Sequence, residues 1–299
     1  MAHLPVLLEE VLADLDPQPD DVMVDATINR GGHAGVICQQ LSGGGFLVGI
    51  DADGGALVEA KTALAQCPCP VRLIESNFRH LAERLHEVGI TSVNGILMDL
   101  GWSSDELERS GRGFSFRRHE PLLMTYASNP GPDDLTAARI VNQWSEERLT
   151  SILREFGEER FAPRIAAAIV ATRRLRPIET TDDLVAIVLS AVPSWYTHRR
   201  LHPATKTFQA IRMATNDELG ALQAGLVSAW QVLAPGGRLA VISFHSLEAR
   251  IVKTFFQGLV REGRAEFVHK KVTKPTYAQT RENPRSRSAQ LRTIKRVSL

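Results

Sequence analysis

Short apolar runs rich in β-branched residues recur at Val22–Ala26, Phe46–Ile50, Val71–Ile74 and Gly95–Met98. Between them, apolar positions fall three or four apart, as in Ala56, Leu57, Ala60 and Leu64, or Leu81, Leu85 and Val88. Runs without polar alternation suit strands covered on both faces, and the helically spaced segments supply the covering layers. The pattern predicts an α/β fold: a parallel sheet with helices on both sides.

After Asp99 the alternation stops. A Gly-, Ser- and Arg-rich loop (Gly101–Phe116) leads through Asn129-Pro130-Gly131-Pro132 into purely helical spacing over Leu135–Trp144, Glu147–Phe156, Ala162–Arg173 and Thr181–Val192, the last opened by an N-cap signature at Thr180-Thr181-Asp182-Asp183. One long helix is predicted around Phe208–Leu233, ended by Pro235-Gly236-Gly237. A fifth strand at Arg238–Phe244, a helix at Leu247–Gly258, and strands at Ala265–His269 and Leu291–Val297 complete a seven-stranded sheet. The organisation predicted is a discontinuous sheet domain, residues 1–105 and 207–299, with a small loop-and-helix domain, 106–206, inserted into it.

The 299 residues are 43% hydrophobic, ample for a buried core. No apolar run approaches the roughly 20 residues that cross a bilayer, and Leu4–Leu8 is too short for a signal peptide. Three cysteines, with Cys38 standing alone in a helical pattern and Cys67-Pro68-Cys69 lacking a second pair, agree with a cytoplasmic protein and predict no metal. A net charge of +1 hides an uneven distribution: from Arg261 onward eleven Lys or Arg stand against three Glu. A second basic region comprises Arg173-Arg174-Leu175-Arg176, Tyr196–His202, Lys206 and Arg212. Two such clusters favour a polyanionic partner, nucleic acid above all.

In an open parallel sheet the ligand sits beyond the carboxyl ends of the strands. Those ends carry Asp25 to His33, Asp51, Asn77-Phe78, Asp99 to Trp102, and Ser243-Phe244-His245. The first turn lacks the G-x-G-x-x-G that cradles a pyrophosphate, which disfavours an oxidoreductase using a dinucleotide. It offers instead Asp25 with Gly31 and Gly32, suited to a cationic or zwitterionic ligand, and Asp51 is placed for two ribose hydroxyls. The combination points to S-adenosyl-L-methionine, with S-adenosyl-L-homocysteine as product. Phe78 either lies against an adenine ring or starts a helix as a core residue. Asp99 either caps a turn or holds an exocyclic amine, whose ring-delocalised lone pair needs a group to orient it and accept its proton. His245 either contacts substrate or terminates its strand.

Eight ordered blocks carry a resemblance: His3–Leu8, Arg30–His33, Asp99–Ser104, Arg112–Phe116, Gly157–Phe161, His202–Ala210, Ile242–Glu248 and Asn283–Ser288. From residue 3 to about 296 the chain resembles the bacterial ribosomal RNA small subunit methyltransferase H family, also called MraW. The resemblance implies a class I S-adenosylmethionine-dependent methyltransferase fold with an inserted helical domain, and N4-methylation of one cytidine in the decoding region of 16S rRNA, within the 30S subunit or a late precursor. It carries cofactor contacts onto Gly31, Gly32, His33, Asp51, Phe78 and Asp99, and onto Glu106, where the family usually has Gln. Asp99 is the catalytic candidate; Arg112, His202, Lys206, His245, Arg285 and Arg287 are candidate substrate contacts. A homodimer is left open, and no membrane partner is expected.

The chain also departs from the family. Asn29 stands where glycine is usual, and asparagine is the best non-glycine residue for a left-handed backbone. The family's Pro-Leu-Asp-Met-Arg-Met-Asp becomes Pro121-Leu122-Leu123-Met124-Thr125-Tyr126-Ala127, and Ala249 replaces an Asp. These losses support an alternative: a weakened or silent relative that binds rRNA or the 30S particle as an assembly factor.

Overall fold

A computed structural model describes residues 5–101, 110–127, 130–131, 133–198 and 201–298. The chain divides into two compact units, Met1–Gly101 with Leu219–Leu299, and Trp102–Glu218.

The first unit holds a seven-stranded sheet: β1 (Val22–Asp25), β2 (Phe46–Asp51), β3 (Val71–Glu75), β4 (Val93–Asp99), β5 (Leu233–Ser243), β6 (Ala265–Phe267) and β7 (Gln290–Arg296). Their order is β3-β2-β1-β4-β5-β7-β6, parallel except that β7 runs antiparallel to β5 and β6. This is the class I methyltransferase topology. Successive residues point to opposite faces, so Val24, Val48, Ile96 and Met98 pack with Leu226 and Phe256, while Met23, Leu47 and Leu97 pack with Val11, Ile37 and Ile242. Both faces are buried, which is why the strands read as apolar runs without alternation. Covering helices are α1 (Leu8–Leu15), α2 (Gly32–Cys38), α3 (Gly54–Ala63) and α4 (Leu81–Glu87).

The second unit is helical: α5 (Ala137–Gln143), α6 (Glu146–Glu155), α7 (Ala162–Arg173), α8 (Thr181–Ala191), α9 (Ser194–Thr197) and α10 (Ala204–Asn216) surround their own core of Ile140, Leu149, Ile165, Leu184 and Ile211. The predicted cap of α8 is a reciprocal capping box, in which Thr180 and Asp183 each accept the other's backbone amide.

Three expectations need correction. The single helix over Phe208–Leu233 is two, α10 and α11 (Glu218–Val232), because Asp217 turns left-handed (φ 48°) and ends α10. The chain therefore returns to the sheet unit at residue 219 and not at 207. Pro235-Gly236-Gly237 is not a helix end but an excursion within β5, where pairing jumps from Val93–Leu233 to Gly95–Arg238. Gly236 takes φ 80° there, and a Cβ on Gly237 would lie 2.9 Å from the carbonyls of Ala234 and Asn94. Finally, Cys38 does not stand alone: it forms a disulfide with Cys67 (Cα–Cα 5.7 Å). Thiol count thus no longer argues for a reducing compartment. Three helices were not anticipated, α1, α9 and α13 (Tyr277–Glu282), the last following α12 (Ser246–Arg261). Among the described residues no helix is long and apolar enough to cross a membrane.

Candidate active site

The strand order switches between β1 and β4, the place where a parallel sheet opens a crevice beyond its carboxyl ends. Acids end three neighbouring strands there: Asp25 on β1, Asp51 on β2 and Asp99 on β4. Asp25 is level with Gly49 and Leu97, so Asp51 and Asp99 each stand two residues farther along.

The turn after β1 is tied to both neighbours. The Ala26 amide donates to the Leu97 carbonyl and the Ile28 amide to the Ile50 carbonyl, each at 2.9 Å, so the chain crosses from β4 towards β2. Asn29 then adopts φ 47°, and its side-chain amide donates to the Thr27 carbonyl at 3.0 Å, the local bond that lets asparagine replace glycine. Gly31 follows at φ 78° and opens α2. A Cβ on Gly32 would approach the Pro5 ring to 2.8 Å.

Each oxygen of Asp51 accepts one backbone amide, Oδ2 from Asn29 at 2.8 Å and Oδ1 from Asp53 at 3.0 Å. Each retains a further lone pair. Burial raises the Asp51 pKa, opposed by those two amides and by that of Ala52.

Asp99 is buried and held from three sides. Its amide donates to Thr27 Oγ1 at 2.7 Å, its Oδ1 accepts from the Gly101 amide at 2.9 Å, and its Oδ2 lies 3.6 Å from His33 Nδ1. The other ring nitrogen of His33 donates to the Val6 carbonyl at 2.9 Å. His33 was expected as a cofactor contact. Its ring lies between the Val6 carbonyl and the Asp99 carboxylate.

Asp25, read from the sequence as the strand-end carboxylate of a turn suited to a cationic or zwitterionic ligand, lies deep in the fold. It is 1% exposed and accepts from the Thr27 amide at 3.2 Å. Burial pushes its pKa up to about 7; His33 and the Thr27 amide oppose the rise, and Asp99 and Asp51 add to it. Its place at the strand end was visible in sequence; the depth of burial beside two other acids was not.

Phe78 opens the turn after β3. Its half-buried ring packs on Gly225 of α11, where a Cβ would come within 2.4 Å, so the core contact anticipated as one of its two readings is present. Glu106 lies outside the described residues.

The substrate candidates fare differently. The Arg112 guanidinium is buried and donates to the carbonyls of Thr125 (3.3 Å) and Tyr126 (2.6 Å), so it braces the second unit internally. Likewise, His245 is the N-cap of α12, its ring accepting from the Glu248 amide, which fulfils the strand-terminating reading. Lys206 donates to the Glu158 carbonyl at 2.7 Å. His202 is exposed and stacks on Phe116, with ring centroids 4.6 Å apart. Arg287 is exposed in the short helix Pro284–Ser288, which also contains Arg285. Among the described residues no cluster of acids, histidines and cysteines could hold a metal ion.

Comparison with known proteins agrees over almost the whole length. The model of the MraW methylase family matches residues 1–297. The ribosomal RNA small subunit methyltransferase H of Heliobacterium modesticaldum is 44% identical, covering 99% of this chain and 98% of that one. The protein of the same name from Symbiobacterium thermophilum is also 44% identical, over 98% and 96% of the two chains. Among solved structures, a methyltransferase homologue from Pyrococcus horikoshii superposes with a TM-score of 0.46 at 14% identity, covering 97% of this chain and 66% of that one.

Proposed function

The chain belongs to the MraW methylase family, and on that premise we propose that it methylates N4 of one cytidine in the decoding region of 16S rRNA, using S-adenosylmethionine. The observation that carries this reading is Asp99: a buried carboxylate at the end of β4, fixed by Thr27, Gly101 and His33 and grouped with Asp25 and Asp51.

The residues at the strand ends fit a cationic, ribose-bearing donor. Asp51 keeps one lone pair on each oxygen for two adjacent hydroxyls. Asp25 is a buried acid, and a positively charged ligand group offsets its cost of ionisation. Gly31 and Gly32 let the backbone approach closely, and Phe78 lines the end of β3. When bound, the donor supplies an activated methyl group on a sulfonium.

Asp99 supplies what the acceptor needs. An exocyclic amine conjugated with a pyrimidine ring is a poor nucleophile, and a carboxylate that accepts one of its N–H bonds localises the lone pair and takes the proton as the new bond forms. Fixing Asp99 from three sides holds it for a near-attack arrangement of about 3 to 3.5 Å between nitrogen and methyl carbon. The target base reaches such a pocket only when unpaired or turned out of its stack. The inserted unit and the basic C-terminal segment are assigned to holding the RNA.

The losses at Leu123, Thr125 and Ala127 favour a second reading, a silent relative that binds the 30S particle. The main chain of this segment still serves the fold, since the Leu123 carbonyl accepts from Ala137 and the Met124 carbonyl from Asn216. Radiolabelled methyl transfer to 30S particles, followed by nucleoside mass spectrometry, separates the two. N4-methylcytidine supports the proposal; binding without transfer supports the silent relative.

A further inference from the structure

The block Gly157–Phe161 has no part in the donor site, yet it builds a conspicuous surface in the helical unit. Glu159 is 2% exposed, and its carboxylate accepts from the Tyr196 hydroxyl at 3.0 Å and from the Phe161 amide at 2.8 Å. A buried acid therefore clamps the start of α7 to the short helix α9. Around that clamp three rings meet edge to face: Phe161 with Tyr196 (4.9 Å between centroids), Phe161 with Trp195 (5.9 Å) and Trp195 with Tyr196 (5.7 Å). Tyr196 is buried, but Trp195 is 53% exposed, a large apolar side chain left at the surface by a rigid support.

The rim of this surface is cationic. The Arg160 guanidinium lies 5.8 Å from the Phe161 ring centre and 5.9 Å from that of Trp195, and Arg164 lies 5.9 Å from Phe161. Both arginines are exposed, and neither is ion-paired among the described residues. An exposed indole beside the Arg160 guanidinium, with Arg164 against the adjoining Phe161 ring, matches the chemistry of a single-stranded nucleotide, whose base stacks on a ring while its phosphate meets the cations. A protein partner would use the indole but would leave the guanidiniums to find carboxylates.

We propose that Trp195, with Arg160 and Arg164, forms a stacking anchor for an unpaired nucleotide of the RNA substrate. The inference rests on the reading that this substrate is RNA. It makes Trp195 a binding residue outside the donor site and gives the Gly157–Phe161 block its purpose: Glu159 positions Tyr196 and Phe161, and they position the indole.

The test uses the full chain with Trp195→Ala, Trp195→Phe and the double variant Arg160→Gln/Arg164→Gln, each checked for an unchanged thermal melt. Two readouts are taken: anisotropy of a fluorescein-labelled unstructured oligoribonucleotide, and methyl transfer to 30S particles resolved into KM and kcat. Trp195→Ala is expected to weaken oligonucleotide binding by about tenfold, the scale of one lost stacking contact, and to raise KM with kcat and donor affinity unchanged. Trp195→Phe is expected to restore most of the binding, and the arginine variant to weaken it and flatten its salt dependence. Unchanged oligonucleotide binding in Trp195→Ala overturns the anchor, as does a loss of 30S binding with naked RNA unaffected, which would mark a protein contact. If the wild-type chain transfers no methyl group, the proposed function fails while the anisotropy arm still decides the anchor.

Discussion

The backbone amide of Asn29 donates to Asp51 Oδ2 at 2.8 Å, joining the left-handed turn after β1 to the acid that ends β2. One hydrogen bond thus couples the conformation of the glycine turn to the orientation of the proposed ribose acceptor. Asn29→Ala should lose the local bond to Thr27 and meet the steric penalty of a left-handed alanine, about 1 kcal/mol or more. Asn29→Gly should stay close to wild type. Chemical denaturation measures the stability change, and calorimetry with S-adenosylmethionine should show the alanine variant, but not the glycine variant, binding several-fold more weakly.

Asp25 makes donor binding depend on pH. Its pKa in the folded chain, about 7, lies above the ordinary 3.8 because burial favours the neutral acid. Its contribution to stability is therefore fully present below about pH 4 and is lost as pH rises towards 7. A cationic donor favours the ionised form, so affinity should rise between about pH 6 and pH 8, with proton release that appears as a buffer-dependent calorimetric enthalpy. Asp25→Asn should flatten that profile. A wild-type affinity independent of pH would show that the donor does not sense this acid.

The Cys38–Cys67 bridge closes a loop of 29 residues between the end of α2 and the segment before β3. Loop-closure entropy assigns such a bridge about 3 to 4 kcal/mol, with measured cases commonly lower. Guanidinium unfolding with and without reductant should differ by about 2 to 4 kcal/mol for the wild type. For Cys38→Ser/Cys67→Ser the two curves should coincide. Cys69, buried and free, should react with a thiol reagent only as the chain unfolds.

Much of the first unit was legible in the sequence because burial on both faces leaves unbroken apolar runs, and these mark β1 to β5 within a few residues. The break at Asp217 was not legible: apolar spacing continues through it, and a left-handed aspartate has no signature of its own. Helix α1 escaped because its N-cap is Leu7, which offers no side-chain cap. Strand-end logic placed Asp25, Asp51 and Asp99 at the carboxyl ends of β1, β2 and β4, with Gly31 and Gly32 in the turn after β1. Roles that depend on what a side chain meets across the fold could not be read in advance. The two carbonyl partners of Arg112 have no trace in the sequence, and Cys38 looks solitary until Cys67 is brought beside it.

The central claim is that Asp99 orients the acceptor amine and takes its proton, and Asp99→Asn tests it most directly. The amide keeps the shape and can still accept from Gly101, but it cannot hold the proton. With S-adenosylmethionine affinity measured by calorimetry and methyl transfer to 30S particles measured in parallel, the variant should bind the donor within a few-fold of wild type while kcat falls by about 10² or more. Turnover equal to wild type at equal donor occupancy would contradict the account.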